Sequence, residues 1–323
     1  MNKNCSTAST NITILLLAII LLVGCTFPNH TDSPTQIPTA PGNPIVTEFT
    51  PALSNLSGQV VYTAFVDREP LVKQIFLKDL ETGEVTQLTH SGSNLMPKWS
   101  PDGSQIVYLS WSQENSYDIY IMNADGTDSQ PLVTGAASDR LPDWSPLGDK
   151  IVFESDRDGT NQIYVLDLNS FETIKLTNGL PGVSLPNWST DGQQIVFTAN
   201  IGVSGRSQIF IVDADGTNLQ QLTDYDINNF DGRPVWCPDD SCIIFTRSVN
   251  GVPKFMLLDL ATNEISPLLK DVFADNLQET KLDRSQIRKY ITFSVGGDYY
   301  AINFNTGELF SLGVTGLSLS LYP

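Results

Sequence analysis

Four segments of the chain, MPKWSPDGSQIVY, LPDWSPLGDKIVF, LPNWSTDGQQIVF and RPVWCPDDSCIIF, are copies of one pattern. Their tryptophans, Trp99, Trp144, Trp188 and Trp236, recur at spacings of 45, 44 and 48 residues. A second apolar strand follows each tryptophan (DIYIMNA, QIYVLDL, QIFIVDA, KFMLLDL), and a shorter third ends in PLVT, IKLT, QQLT or SPLL. A period near 45 with several short strands per repeat specifies propeller blades, each a four-stranded antiparallel meander, and excludes a helical solenoid. Runs such as Ile106, Val107, Tyr108, Leu109 are apolar at consecutive positions, so both faces of the strand must be covered, as they are when blade stacks on blade. The motif proline marks a strand start, and the indole fills the gap between blades.

Two weaker copies, residues 59–89 and 289–312, raise the count to six. The expected fold is an all-β, six-bladed β-propeller of four-stranded antiparallel blades over residues 46–323. Its 23 Gly and 19 Pro suit a turn-rich ring. Two segments compete for the inner strand of the first blade, residues 47–53 and the tail 317–322 (LSLSLY). The repeat register favours residues 47–53, with the tail packing beside them.

Ahead of the repeats lies an apolar run, residues 12–23, too short for a comfortable bilayer span of about 20 residues but suited to a signal-peptide core. It ends in Leu22, Val23, Gly24, Cys25, which resembles the lipobox of bacterial lipoproteins. That resemblance implies removal of residues 1–24, attachment of Cys25 to membrane lipid, and a position in the cell envelope facing the periplasm or exterior. Acyl chains bury about 0.8 kcal/mol per methylene, which makes a durable anchor. Residues 25–45, rich in Pro and Thr, read as a semi-flexible spacer.

The form Pro-x-Trp-Ser-Pro-Asp-Gly, Ile-x-Phe, Ile-Tyr-x-x-Asp, Leu-Thr resembles the WD40-like propeller repeats of the TolB type over residues 48–312. The resemblance implies the fold. It carries function less far, because only the spacer stands between Cys25 and the first blade, where TolB proteins have an α/β domain.

Acids outnumber bases 36 to 18, and a net charge of −18 disfavours nucleic acid as a partner. Only His30 and His90 exist, and no Gly-x-Ser-x-Gly elbow accompanies them, so a Ser-His-Asp hydrolase is not expected. No metal or cofactor is expected either. Asp102, Asp125, Asp191 and Asp215 precede Gly as turn residues do. Cys237 and Cys242 flank one turn and are expected to form a disulfide.

Successive turns of a meander alternate between two faces. The longer, more variable connections share one face, where binding loops belong. The expected binding surface is the channel mouth on that face, with Asn94, Asp139 and Asp231 at the entries to inner strands and Arg140, Arg233, Trp111, Tyr225 and Phe230 nearby. The expected function is a tethered, non-catalytic monomer that recognises a peptide, protein or glycan; the alternative is a glycan hydrolase built on a carboxylate pair.

Overall fold

The computed structural model describes residues 56–68, 71–111, 116–201, 206–224, 229–249, 251–268, 282–284, 289–295 and 297–322. Cys25, the spacer, residues 47–53 and Tyr225 lie outside the described residues. Short apolar runs broken by Gly- and Asp-bearing turns make the blades. In blade 1, β1 (Gln59–Arg68), β2 (Leu71–Asp79) and β3 (Val85–Gln87) follow one another outward from the axis. Blade 2 is β4 (Asn94–Trp99), β5 (Gln105–Trp111), β6 (Tyr117–Asn123) and β7 (Gln130–Val133). Blade 3 is β8 (Asp139–Trp144), β9 (Lys150–Ser155), β10 (Gln162–Asp167) and β11 (Thr173–Lys175). Blade 4 is β12 (Ser184–Trp188), β13 (Gln194–Asn200), β14 (Ser207–Asp213) and β15 (Gln220–Gln221). Blade 5 is β16 (Asn229–Trp236), β17 (Cys242–Val249), β18 (Val252–Asp259) and β19 (Ile265–Pro267). Blade 6 is β20 (Leu282–Arg284), β21 (Tyr290–Val295), β22 (Asp298–Asn303) and β23 (Leu309–Thr315). Every pairing is antiparallel, and the architecture is the expected six-bladed propeller.

The inner strand of blade 1 corrects the expectation. It is the tail, β24 (Leu319–Tyr322), paired with β1 from Gln59↔Tyr322 to Tyr62↔Leu319. The alternation of LSLSLY explains why. Leu319 and Leu321 are buried in one cluster with Tyr299 and Phe310 of blade 6. The intervening serines serve blade 2, where Ser318 Oγ accepts from Met96 N (3.1 Å) and Ser320 Oγ from Trp99 N (3.4 Å). A strand with an apolar edge to one neighbour and a hydroxylic edge to the other fits the seam, and both ends of the ring are held in one sheet.

The four motif tryptophans are buried between blades. Trp144 Nε1 donates to Lys98 O and Trp236 Nε1 to Asn187 O, each across to the preceding blade (3.2 Å). The Leu-Thr endings have a separate role. Thr89, Thr177 and Thr223 accept from the backbone N of Ile75, Ile163 and Ile209 (2.9–3.0 Å), and Thr89 and Thr177 donate to buried Gln74 and Gln162. The polar pair is thereby satisfied inside the sheet, as burial demands.

Candidate functional site

In blades 2 to 5 the inner strand carries one residue more than its partner. Leu95 to Lys98 on β4 stands against Leu109 to Val107 on β5, and the same slip recurs at Arg140/Asp143, Ser184/Asn187 and Gly232/Val235. This is a β-bulge. The residue inside each bulge has left-handed backbone: Met96 (φ 55°), Leu141 (52°), Leu185 (57°) and Arg233 (51°). Each directly precedes the motif proline, which has no N–H to give the ladder. Left-handed φ is costly for bulky side chains and persists only where the surroundings over-determine it. Strand hydroxyls take up nearby bulge carbonyls: Thr198 Oγ1 donates to Ser184 O (3.0 Å) and Thr246 Oγ1 to Gly232 O (2.9 Å).

The four bulge residues line a cavity of about 310 Å³ at the axis. At the same level, opposite Tyr62 and Phe293, stand Leu319 and Leu282, which line it too. The collar is thus apolar at five positions and cationic at one, Arg233. Lys73, Lys98, Asp143 and Asn187 also line the cavity. Asp143 Oδ2 accepts from Asn187 Nδ2 (2.9 Å) and Trp188 N (3.1 Å), while Asn187 Oδ1 is buried without a hydrogen-bond partner.

Of the residues singled out from the sequence, Arg233 lines this cavity. Asn94, Asp139 and Asp231 do not line it; they are 3%, 1% and 3% exposed. Asn94 Nδ2 donates to Gln74 Oε1 and Ser91 O. Asp139 pairs with Arg157 Nη2 (2.8 Å), and Asp231 accepts from Arg247 Nε (2.6 Å) and Nη2 (2.8 Å), each arginine being on or just beyond the adjacent strand. Arg140 lies 3.6 Å from Glu154 and 3.7 Å from Asp156. Trp111 is 43% exposed and meets Tyr117 edge-on, and Phe230 is 45% exposed beneath the Arg206 guanidinium.

Burial holds the Glu154 carboxyl above its ordinary range, opposed by hydrogen bonds from Ser184 and Asn161 and by Arg140. The turn acids behave oppositely. The Ser100 hydroxyl lowers Asp102, and the hydroxyls of Thr127 and Thr217 lower Asp125 and Asp215. Cys237 and Cys242 are buried and placed as a disulfide, with Cα atoms 5.2 Å apart. Among the described residues no group of three His, Cys, Asp or Glu is placed to hold a metal ion.

The bulge collar was not singled out from the sequence. Its signal was present, however, as the residue before each motif proline, at a position where a ladder bond is missing.

The propeller matches solved structures of low identity, which speak to fold alone. TolB from Acinetobacter baumannii superposes with a TM-score of 0.65 at 18% identity, covering 84% of this chain and 68% of that one. The tricorn protease (0.59, 15%) covers 81% and 27%, and a manganese-bound oligogalacturonate lyase (0.57, 13%) covers 78% and 73%. A curated relative, the TolB homolog of Chlorobaculum tepidum, is 31% identical over 87 residues, 27% of this chain and 19% of that protein's own length. Residues 42–270 match the TolB beta propeller domain, well over half the sequence. The repeat read in the sequence, the six blades it builds and this match agree: the chain belongs to the TolB beta propeller domain family.

Proposed function

We propose that the chain is a non-catalytic recognition propeller of the cell envelope, tethered to membrane lipid through Cys25, which takes a peptide, protein segment or glycan at its axial channel. The observation that carries this reading is the collar. Four strained bulges at one level place Met96, Leu141, Leu185 and Arg233 around a cavity. Strain of this kind, of order 1–3 kcal/mol per residue, gathers at ligand clamps. Among the described residues, the acids of the inner strands are engaged with donors: Asp143 with Asn187 and Trp188, Asp139 with Arg157, Asp231 with Arg247. Glu154, the acid with a raised carboxyl, is 3% exposed and held by Ser184 and Asn161, whereas a glycoside hydrolase needs two acids facing its substrate.

Two experiments test the reading. Cys25→Ala is expected to move the chain from the membrane fraction to the soluble fraction. A photoreactive residue at Leu141 is expected to cross-link an envelope partner in intact cells, and Leu185→Trp, which fills the cavity, to abolish that capture with the melting temperature nearly unchanged. Capture that survives the filled channel refutes axial recognition.

A further inference from the structure

We infer that the ring rests on the bilayer that anchors it, through Leu147, Phe171 and Leu219, with its channel mouth turned away from the lipid. The inference rests on the anchoring part of the reading above and adds an orientation that a tether alone leaves open. Leu147 and Phe171 are 83% and 70% exposed, more than any other large hydrophobic side chain among the described residues, and Leu219 is 46% exposed. Each stands where the repeat elsewhere places a polar residue or a glycine. Leu147 replaces Asp102, Asp191 and Asp239 of the sister turns. In blade 3 the task of those acids falls to Asp149, which accepts from the Ser145 hydroxyl (2.7 Å) as Asp102 and Asp191 accept from Ser100 and Ser189. Phe171 replaces Gly83, Asn263 and Gly307, all at left-handed φ, and itself stands at φ 57°. A bulky side chain is strained there, and an exposed one gains no burial to offset the strain. Leu219 replaces Ser129 of blade 2. The turns themselves therefore favour the sister residues at all three positions.

The three side chains share one face with the start of the ring. Trp144↔Ile151 and Asp167↔Lys150 bring the β8–β9 and β10–β11 turns to the same end of blade 3, and Leu168 N donates to Asp149 O between them (2.8 Å). The β14–β15 turn lies at the corresponding end of blade 4, beyond Gln194↔Asp213. So does the start of β1, since Gln59 stands opposite Asp79 at the head of the β2–β3 turn and Leu80 N donates to Gly58 O (2.9 Å). The chain leading back to Cys25 thus leaves from the face that bears the three side chains. Thirty residues, 26–55, intervene, a leash of at most about 100 Å. A soluble protein partner has no such covalent reason to meet this face. On so short a leash the effective concentration is of order millimolar. Burial of each side chain in the interface then shifts the ratio of docked to free ring by about tenfold. Asp149, Asp167 and Glu172 in the same turns oppose anionic headgroups, so the lipid surface that fits is zwitterionic.

The test uses the full acylated chain in vesicles of phosphatidylcholine and phosphatidylethanolamine that carry a brominated quencher lipid. A fluorescent amino acid is placed at Asn169, in the β10–β11 turn, or at Thr160, at the opposite end of blade 3. Quenching is expected to be severalfold stronger at position 169. The triple variant Leu147→Asp, Phe171→Gly, Leu219→Ser, which installs the sister residues, is expected to stay anchored, to melt no lower than the parent and to lose most of that difference. Phe171→Gly alone, which also relieves the strained turn, is expected to lose part of it, and added phosphatidylglycerol to narrow it in the parent. Equal quenching at the two positions, stronger quenching at Thr160, or a difference that survives the triple variant overturns the inference. If Cys25→Ala stays in the membrane fraction, the anchoring reading falls; an anchored chain with equal quenching leaves that reading standing and removes the orientation alone.

Discussion

Blade 5 departs from its sisters at one turn, and blade 4 departs with it. Where blades 2 to 4 place Gly103, Gly148 and Gly192 at left-handed φ, blade 5 has Asp240 at φ 57°. A Cβ on Gly192 would stand 2.9 Å from Pro146 Cγ of the preceding blade, so a side chain there is excluded by the motif proline. Ahead of Asp240 that proline is replaced by Thr190. The space is filled by hydrogen bonds: Asp240 accepts from Thr190 N (2.8 Å), Asp191 N (3.0 Å) and the Thr190 hydroxyl. Asp240→Ala keeps the backbone strain and loses three bonds worth about 1 kcal/mol net each, so the expected cost is about 2–3 kcal/mol. Asp240→Gly also loses them but recovers about 1 kcal/mol of left-handed strain, leaving about 1–2 kcal/mol. Thr190→Pro alone removes two donors and sets a ring against the Asp240 side chain, about 2–3 kcal/mol. The double variant Thr190→Pro, Asp240→Gly rebuilds the contact that blades 3 and 4 already make, and should fall within about 1 kcal/mol of the parent, a coupling of at least about 2 kcal/mol. Urea unfolding followed by tryptophan fluorescence measures all four proteins. Single-variant losses that simply add in the double, within about 0.5 kcal/mol, refute the compensation.

Asp231→Ala is expected to cost about 2–4 kcal/mol, because it removes both hydrogen bonds that the Arg247 guanidinium makes to a buried carboxylate; a urea midpoint within error of the parent would show the pair to be idle. Truncation after Thr315 removes β24, exposes the seam and loses Leu319 and Leu321, each worth about 1.5–3 kcal/mol of burial; the expected result in limited proteolysis is rapid cleavage of blades 1 and 6, and resistance equal to the intact chain counts against the tail as the closing strand. Glu154 has a folded pKa raised above its unfolded value, so its contribution to stability is full below the ordinary glutamate range and is lost as pH rises through the folded pKa. Glu154→Gln should therefore gain stability relative to the parent across that rise and stay level below it, and a difference independent of pH contradicts the shift. Cys237 and Cys242 are expected to resist alkylation until a reductant is added, and their reduction to cost about 2 kcal/mol in the chain-entropy picture for so short a loop; alkylation of the untreated protein shows free thiols instead.

The blades were legible because their signals are local. Apolar strand runs, the turn acids Asp102, Asp125 and Asp215, and the interblade tryptophans all follow from neighbours within one repeat. The candidate site was legible in part. Arg233, read from the sequence as a loop residue near the channel mouth, lies on β16 and lines the cavity. Asn94, Asp139 and Asp231 share one position ahead of the tryptophan, yet each is drawn into its own blade: Asp139 and Asp231 lie directly across from Ser155 and Arg247 on the adjacent strand. Register of that kind depends on where a bulge falls, and the extra residue at Met96, Leu141, Leu185 and Arg233 offsets the alternation of inward and outward side chains.

By itself, then, the sequence determined the class of fold, the blade count and the composition of the interblade core, because a period near 45 with uniform strand chemistry admits one architecture. Only the tertiary structure decided which end closes the ring. LSLSLY reads as an apolar–polar strand in either role, and the choice rests on Thr63 meeting Ser318, 255 residues away, and on blade 6 receiving its leucines while blade 2 receives its serines. Only the structure, too, gathered the residues before four prolines into one collar, since each is an unremarkable side chain in its own repeat and becomes a site when six inner strands converge on an axis.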